Sequence, residues 1–134
     1  FQDYKLLPDR NLFENVALPL HVMGYAAGKI ASRVDEAIEL VGLEGKENHL
    51  PEELSGGEQQ RASLARAFIK EPDIILADEP TGNLDPVASF ELVRLLETIH
   101  ETGTTVLMAS HNYNLIKGRG RPIYELKNGV LRVR

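Results

Sequence analysis

The run Ile74-Ile75-Leu76-Ala77-Asp78-Glu79-Pro80 limits the possible folds more than any other stretch of the chain. An apolar tetrad with two β-branched residues is too short for a helix. It lies between Pro72-Asp73 and a pair of acids. This is the pattern of a short strand buried on both faces, as in a parallel sheet covered by helices. Thr104-Thr105-Val106-Leu107-Met108-Ala109 repeats the pattern and ends at Ser110-His111. Between the two runs, Asp85 is a candidate N-cap with Pro86 at the first helical position. Phe90, Val93, Leu96 and Ile99 supply an apolar face, and Gly103 closes the helix. Strand, helix and strand in this order predict a parallel α/β sheet.

The rest of the chain supports a helical half followed by this sheet. Residues 1–11 read as a loop, with Pro8-Asp9-Arg10-Asn11 as turn chemistry. Residues 12–28 are apolar but interrupted by Pro19, Gly24 and Gly28, which predicts a short helix and then a loop. Val34, Ala37, Ile38 and Val41 form a helical stripe over residues 30–42, ended by Gly42. Residues 55–70 predict a further helix. Ser55 and Glu58 are spaced as a capping box, Ala62, Ala65 and Ile69 share a face, and Pro72 ends it. A short helix over residues 112–117 precedes two strands, 122–126 and 130–133, joined by Lys127-Asn128-Gly129 as a hairpin.

Composition narrows the function classes. The 134 residues suit one domain, and 43% hydrophobic with 26% charged residues is ordinary for a globular chain. A net charge of −5 argues against a nucleic-acid binder. The absence of cysteine excludes disulfides and thiolate-held metals. No apolar run approaches the roughly 18 residues that span a bilayer. The opening Phe1-Gln2-Asp3 reads as mid-domain sequence, so the chain is expected to be a fragment of a longer product.

Three constellations carry chemistry. In Leu54-Ser55-Gly56-Gly57-Glu58-Gln59-Gln60-Arg61, a serine and two glycines at a helix start bring unhindered N–H groups and the positive dipole end together. An ordinary capped helix explains Ser-Gly-Gly-Glu equally well. Asp78 and Glu79 stand at the carboxyl end of a strand, where open α/β sheets bind ligands. Asp78 is a candidate Mg²⁺ ligand and Glu79 a candidate acceptor for a proton from water. The bland alternative is a solvated loop. His111, at the end of the second strand, would lie near the acids and could bond a phosphate oxygen or orient a catalytic group. His21, His49 and His100 read as plain surface histidines.

Taken together and in order, these pieces resemble the ATPase subunits of ABC transporters along essentially the whole chain. Phe1-Gln2-Asp3 resembles the Q-loop, and Leu54 through Arg61 the ABC signature. Ile74 through Glu79 resembles Walker B with its glutamate, Gly82-Asn83-Leu84-Asp85 the D-loop, and His111 the switch histidine. Leu6-Leu7-Pro8-Asp9-Arg10 and Glu14-Asn15-Val16-Ala17-Leu18-Pro19-Leu20 resemble the FtsE, LolD and MacB group, and Thr105 through His111 followed by Asn114-Leu115-Ile116 leans toward FtsE.

The resemblance implies a partial P-loop NTPase-type parallel core over about residues 71–134, with a helical signature subdomain over about 5–70. It implies ATP and Mg²⁺ as ligands, a head-to-tail homodimer, an integral-membrane permease partner of the FtsX or MacB/LolC kind, and a place on the inner, cytoplasmic face of the cell membrane. It assigns Ser55, Gly56, Gly57 and Glu58 to binding a partner-held ATP, with Ser55 and Gly57 at its γ-phosphate, and Asp85 to the same nucleotide site and to communication across the dimer. Asp78 would organise Mg²⁺, Glu79 polarise the attacking water and His111 hold the γ-phosphate. Gln2 would contact Mg²⁺ and the reacting centre and relay nucleotide state to the membrane partner.

This sequence departs from the family pattern in two places. No G-x-x-x-x-G-K-[ST] occurs, so the loop that grips ATP phosphates is absent from these residues, and Asn112 stands where relatives commonly have Asp. The chain alone is expected to bind little ATP. The strands at 74–77 and 104–109, lacking the neighbouring strand of the family, are expected to leave an apolar edge that promotes association or strand swapping. Two other readings compete with an ATPase. A non-hydrolysing docking module would often have lost Glu79, which this chain keeps. A chromosome-maintenance ATPase would separate Gln2 from the signature by long heptad repeats, which are missing.

Overall fold

In the computed structural model, which describes residues 5–134, the first helix α1 (Leu12–Val22) starts at a reciprocal cap. The Asn11 side chain accepts from the Glu14 N–H at 2.8 Å, and the Glu14 carboxylate accepts from the Asn11 N–H at 2.9 Å. Pro19 lies inside α1, where its missing N–H leaves the Asn15 carbonyl without its helical donor. Asn15 is fully buried. Its amide nitrogen donates to the carbonyls of Leu7, Arg10 and Asn11, and its oxygen accepts from the Leu7 N–H at 2.7 Å. One side chain thus ties residues 7–11 to the helix.

The second helix, α2 (Ala27–Leu40), starts earlier than the sequence predicts and absorbs Gly28, which the sequence pattern places in a loop. A helical glycine costs only about 1 kcal/mol relative to Ala, and the burial of Ile30 offsets this. Tyr25 also steadies the first turn, with Lys29 and Arg33 each 5.2 Å from its ring. The predicted stripe of Val34, Ala37, Ile38 and Val41 is buried throughout, and Gly42 takes the left-handed backbone that ends the helix (φ +67). A 3-10 turn, Pro51–Glu53, leads into α3 (Gly56–Phe68). Helices α1, α2 and α3 enclose one core of Leu12, Val16, Leu20, Val34, Ile38, Ala62 and Ala65, among others.

A second core forms around β1 (Ile74–Asp78), α4 (Pro86–Glu101) and β2 (Thr105–Ala109). The strands pair in parallel, with Ile75 opposite Val106 and Asp78 opposite Ala109. Leu64, Ile75, Leu92, Leu96 and Ile99 fill this core. Helix α3 belongs to both clusters, turning Ala62 and Ala65 to the first and Leu64 to the second.

The expectation that these strands are buried on both faces needs correction. Ile75 is 6% exposed, whereas its neighbours Ile74 and Leu76 are 50% and 71% exposed and Leu107 on β2 is 58% exposed. Alternation along each strand sends one set of side chains to the helices. Among the described residues nothing covers the other set.

The chain ends with α5 (Tyr113–Ile116) and an antiparallel hairpin of β3 (Tyr124–Lys127) and β4 (Val130–Val133). Asn128 and Gly129 both take positive φ, so the predicted turn narrows to two residues and Lys127 joins β3. Arg134 closes the hairpin with two bonds to the Glu125 carboxylate, at 2.9 and 3.1 Å. Among the described residues, no helix is long and apolar enough to cross a membrane.

Candidate functional site

The start of α3 presents donors to solvent because its cap is self-contained. Ser55 has extended backbone, and its hydroxyl accepts from the Glu58 N–H at 3.2 Å. The Glu58 carboxylate returns a bond to the Ser55 N–H at 2.9 Å and pairs with the Lys46 ammonium. Lys46 first, and then the Ser55 N–H, hold the Glu58 carboxyl below its usual value. These bonds leave the N–H groups of Gly56 and Gly57 as first-turn donors without acceptors among the described residues.

Helix α4 starts beside them. The Asp85 side chain accepts from the N–H groups of Val87 and Ala88 at 2.9 and 3.0 Å. A cavity of about 230 Å³ separates the two helix starts, lined by Ser55, Gly56, Gly57, Asn83, Asp85 and Glu91 among others. The start of α3 favours an anion there, while the Asp85 carboxylate already caps α4 and Glu91 adds a second negative charge to the lining. Gly57 permits the approach, since a Cβ on it would lie 3.2 Å from the Ala88 Cβ.

At the carboxyl ends of β1 and β2 the chain assembles a second constellation. The Glu79 N–H donates to the Ala109 carbonyl at 2.9 Å, one step beyond the ladder. Glu79 itself turns into the left-handed region (φ +45), which costs a non-glycine residue roughly 1 kcal/mol. The turn aims its carboxylate at β2, where Oε1 accepts from the His111 N–H at 2.7 Å and lies 3.0 Å from His111 Nδ1. At that distance the imidazole pairs with the carboxylate when it carries a proton on Nδ1. The His111 side chain is 81% exposed and that of Glu79 30%, so the pair opens to solvent.

Asp78 ends β1 directly beside this pair, and among the described residues no hydrogen bond or ion pair engages its carboxylate. No group of three or more His, Cys, Asp or Glu side chains forms a metal cage among the described residues. A single free carboxylate suits Mg²⁺, which keeps waters and phosphate oxygens as its other ligands.

The structure therefore gathers Asp78, Glu79 and His111 at one place and Ser55, Gly56, Gly57 and Asp85 at another. Glu58 and Asp85 spend their carboxylates on capping. Gln2 lies outside the described residues. Of the other histidines, His100 has Nδ1 3.0 Å from the Thr104 carbonyl at the end of α4.

Sequence reasoning missed Lys46, because no local pattern joins it to Glu58. It also missed Gln60, whose amide donates to the Pro80 carbonyl at 2.7 Å across the two constellations.

Known proteins bear on this geometry. The ABC transporter family model matches residues 1–82 of the chain. The cell division ATP-binding protein FtsE of Mycobacterium tuberculosis is 50% identical over 131 residues, covering 98% of this chain and 57% of that protein. FtsE of Escherichia coli K12 is 47% identical over 131 residues, covering 98% and 59%. The chain thus spans somewhat more than half the length of these relatives. Among solved structures, an ATP-binding cassette seen as a dimer in a post-hydrolysis state with ADP and Pi is 38% identical. It superimposes with a TM-score of 0.73 over 86% of this chain and 52% of that one. With its α/β fold and its strand-end acids in place, this chain belongs to the ABC transporter family.

Proposed function

We propose that the full-length protein carrying this chain is an ATP-hydrolysing subunit that drives a membrane permease of the cell-division type. The observation that carries this reading is the Glu79–His111 pair beside the free carboxylate of Asp78. In the reaction, Glu79 orients the attacking water and accepts its proton. His111 fixes the Glu79 carboxylate and turns Nε2 toward the γ-phosphate. Asp78 would hold Mg²⁺, which supplies charge neutralisation for the phosphates when bound. Gln2 is assigned to the same centre and to the relay toward the permease.

The Gly56 and Gly57 N–H groups and the Ser55 hydroxyl serve the γ-phosphate of an ATP held by a second copy, arranged head to tail. Glu58 assists by neutralising Lys46 and fixing the cap, and Asp85 sets the start of α4 against that interface. The dimeric relative with ADP and Pi supports this arrangement. The helical core and the sheet core are read as the signature subdomain and part of the nucleotide core. The protein then sits against the inner face of the cell membrane through its permease, with no role for nucleic acid.

Steady-state ATPase measurements on the full-length protein test the reading. Wild type turns ATP over and Glu79→Gln does not. Undiminished turnover by that variant would mean that Glu79 neither orients the water nor takes its proton. Residues 1–134, which contain no phosphate-gripping loop, are expected to bind ATP more weakly than about 1 mM by calorimetry, an affinity below about 4 kcal/mol. Micromolar binding would overturn this.

A further inference from the structure

Glu79 is held in an unfavourable backbone conformation, and something outside its own turn must keep it there. Its N–H is fixed by the Ala109 carbonyl, its carbonyl by the Gly82 N–H at 3.1 Å, and its carboxylate by His111. These bonds tie the residue to β2 and to the next turn. None of them reaches the far side of the loop, where Pro80 and Thr81 are buried. There the Pro80 carbonyl accepts from the Gln60 amide at 2.7 Å. Gln60 lies on α3, one turn after the Gly56 and Gly57 N–H groups. Helix α3 is itself clamped between the two cores, so its position is fixed by packing.

We propose that Gln60 is a positioning residue that holds the Glu79 loop to the signature helix, so that movement at the Gly56–Gly57 donors is transmitted to the Glu79 carboxylate. It touches no reacting atom. Without its N–H donor, the peptide after Pro80 loses its anchor to α3, the loop shifts away from the signature helix, Glu79 relaxes out of the left-handed region, and its carboxylate leaves His111. The Gly82 turn alone does not prevent this, because it moves with the loop.

This inference rests on the ATPase reading for its kinetic consequence but not for the link itself, so two measurements separate them. The first is hydrogen exchange over residues 79–85 of the full-length protein. Gln60→Met, which keeps length and removes the donor, should exchange there about tenfold faster than wild type, with α1 and α2 unchanged. Gln60→Lys, which restores a donor, should return it toward wild type. The second is ATP turnover, where Gln60→Met should lower kcat about tenfold at unchanged KM and Gln60→Lys should recover most of it. Unchanged exchange in Gln60→Met overturns the link. Faster exchange at unchanged kcat overturns its role in positioning. A wild-type protein without ATP turnover overturns the proposed function instead, and the exchange comparison still decides the link.

Discussion

His111 contacts the same oxygen of Glu79 twice, through its backbone N–H at 2.7 Å and through Nδ1 at 3.0 Å. The main-chain bond comes from the chain path after β2 and survives any substitution at position 111 except proline. The imidazole contact does not. His111→Ala should therefore lower kcat by about 10²-fold, and Glu79→Gln by about 10³-fold or more. The double variant should be little worse than Glu79→Gln, since His111 acts through the Glu79 carboxylate. Multiplicative losses in full-length ATPase assays would show that they act independently.

Glu58 makes stability depend on pH in a defined direction. Its folded-state pKa is lowered, chiefly by Lys46 and then by the Ser55 N–H. Its stabilisation is thus present above the unfolded value, near 4.5, and is lost as pH falls through the lower folded value. Glu58→Gln should destabilise by roughly 1 kcal/mol at pH 7 through the cap and the lost pair. The difference from wild type should shrink below about pH 4.5. Thermal melts from pH 7 to pH 3 check this, and a gap that stays constant would contradict it.

Asn15 should be a large single contributor to stability outside the apolar cores. Asn15→Ala strands the Leu7 N–H and the Arg10 carbonyl beneath α1, whereas the Leu7 and Asn11 carbonyls keep the N–H groups of Arg10 and residue 15. A loss of about 2–3 kcal/mol is expected in urea unfolding. Asn15→Asp keeps the bond from the Leu7 N–H but turns a charge toward those carbonyls, so it should not rescue.

Two helical glycines should respond oppositely to alanine. Gly28 in α2 has nothing within 4 Å of an added Cβ, so Gly28→Ala should stabilise by about 0.5–1 kcal/mol. Gly57→Ala brings a Cβ to 3.2 Å from Ala88, so it must shift the start of α3 from that of α4. Chemical denaturation should show a gain for the first and none for the second. Equal gains would mean that the two helix starts do not press on each other.

The sequence alone determined the helix stripes, the caps at Ser55 and Asp85, the two apolar strands and the turn at Lys127-Asn128-Gly129. These are local: a cap, a period or a left-handed turn is decided by residues within one or two turns of each other. It also anticipated that His111 would lie beside the acids, because parallel pairing puts successive strand ends side by side. Gly28 reads as loop in the sequence yet lies in a helix, because propensity is a weak local preference that burial of Ile30 overrides. Only the tertiary structure decided which face of β1 is buried, since a short apolar run looks the same whether one face or both are covered. The Lys46–Glu58 pair, the Asn15 staple and the Gln60–Pro80 bond were likewise decided there. Each depends on the direction of one flexible side chain, which is set by the packing of α1, α2 and α3 and leaves no periodic trace in the sequence.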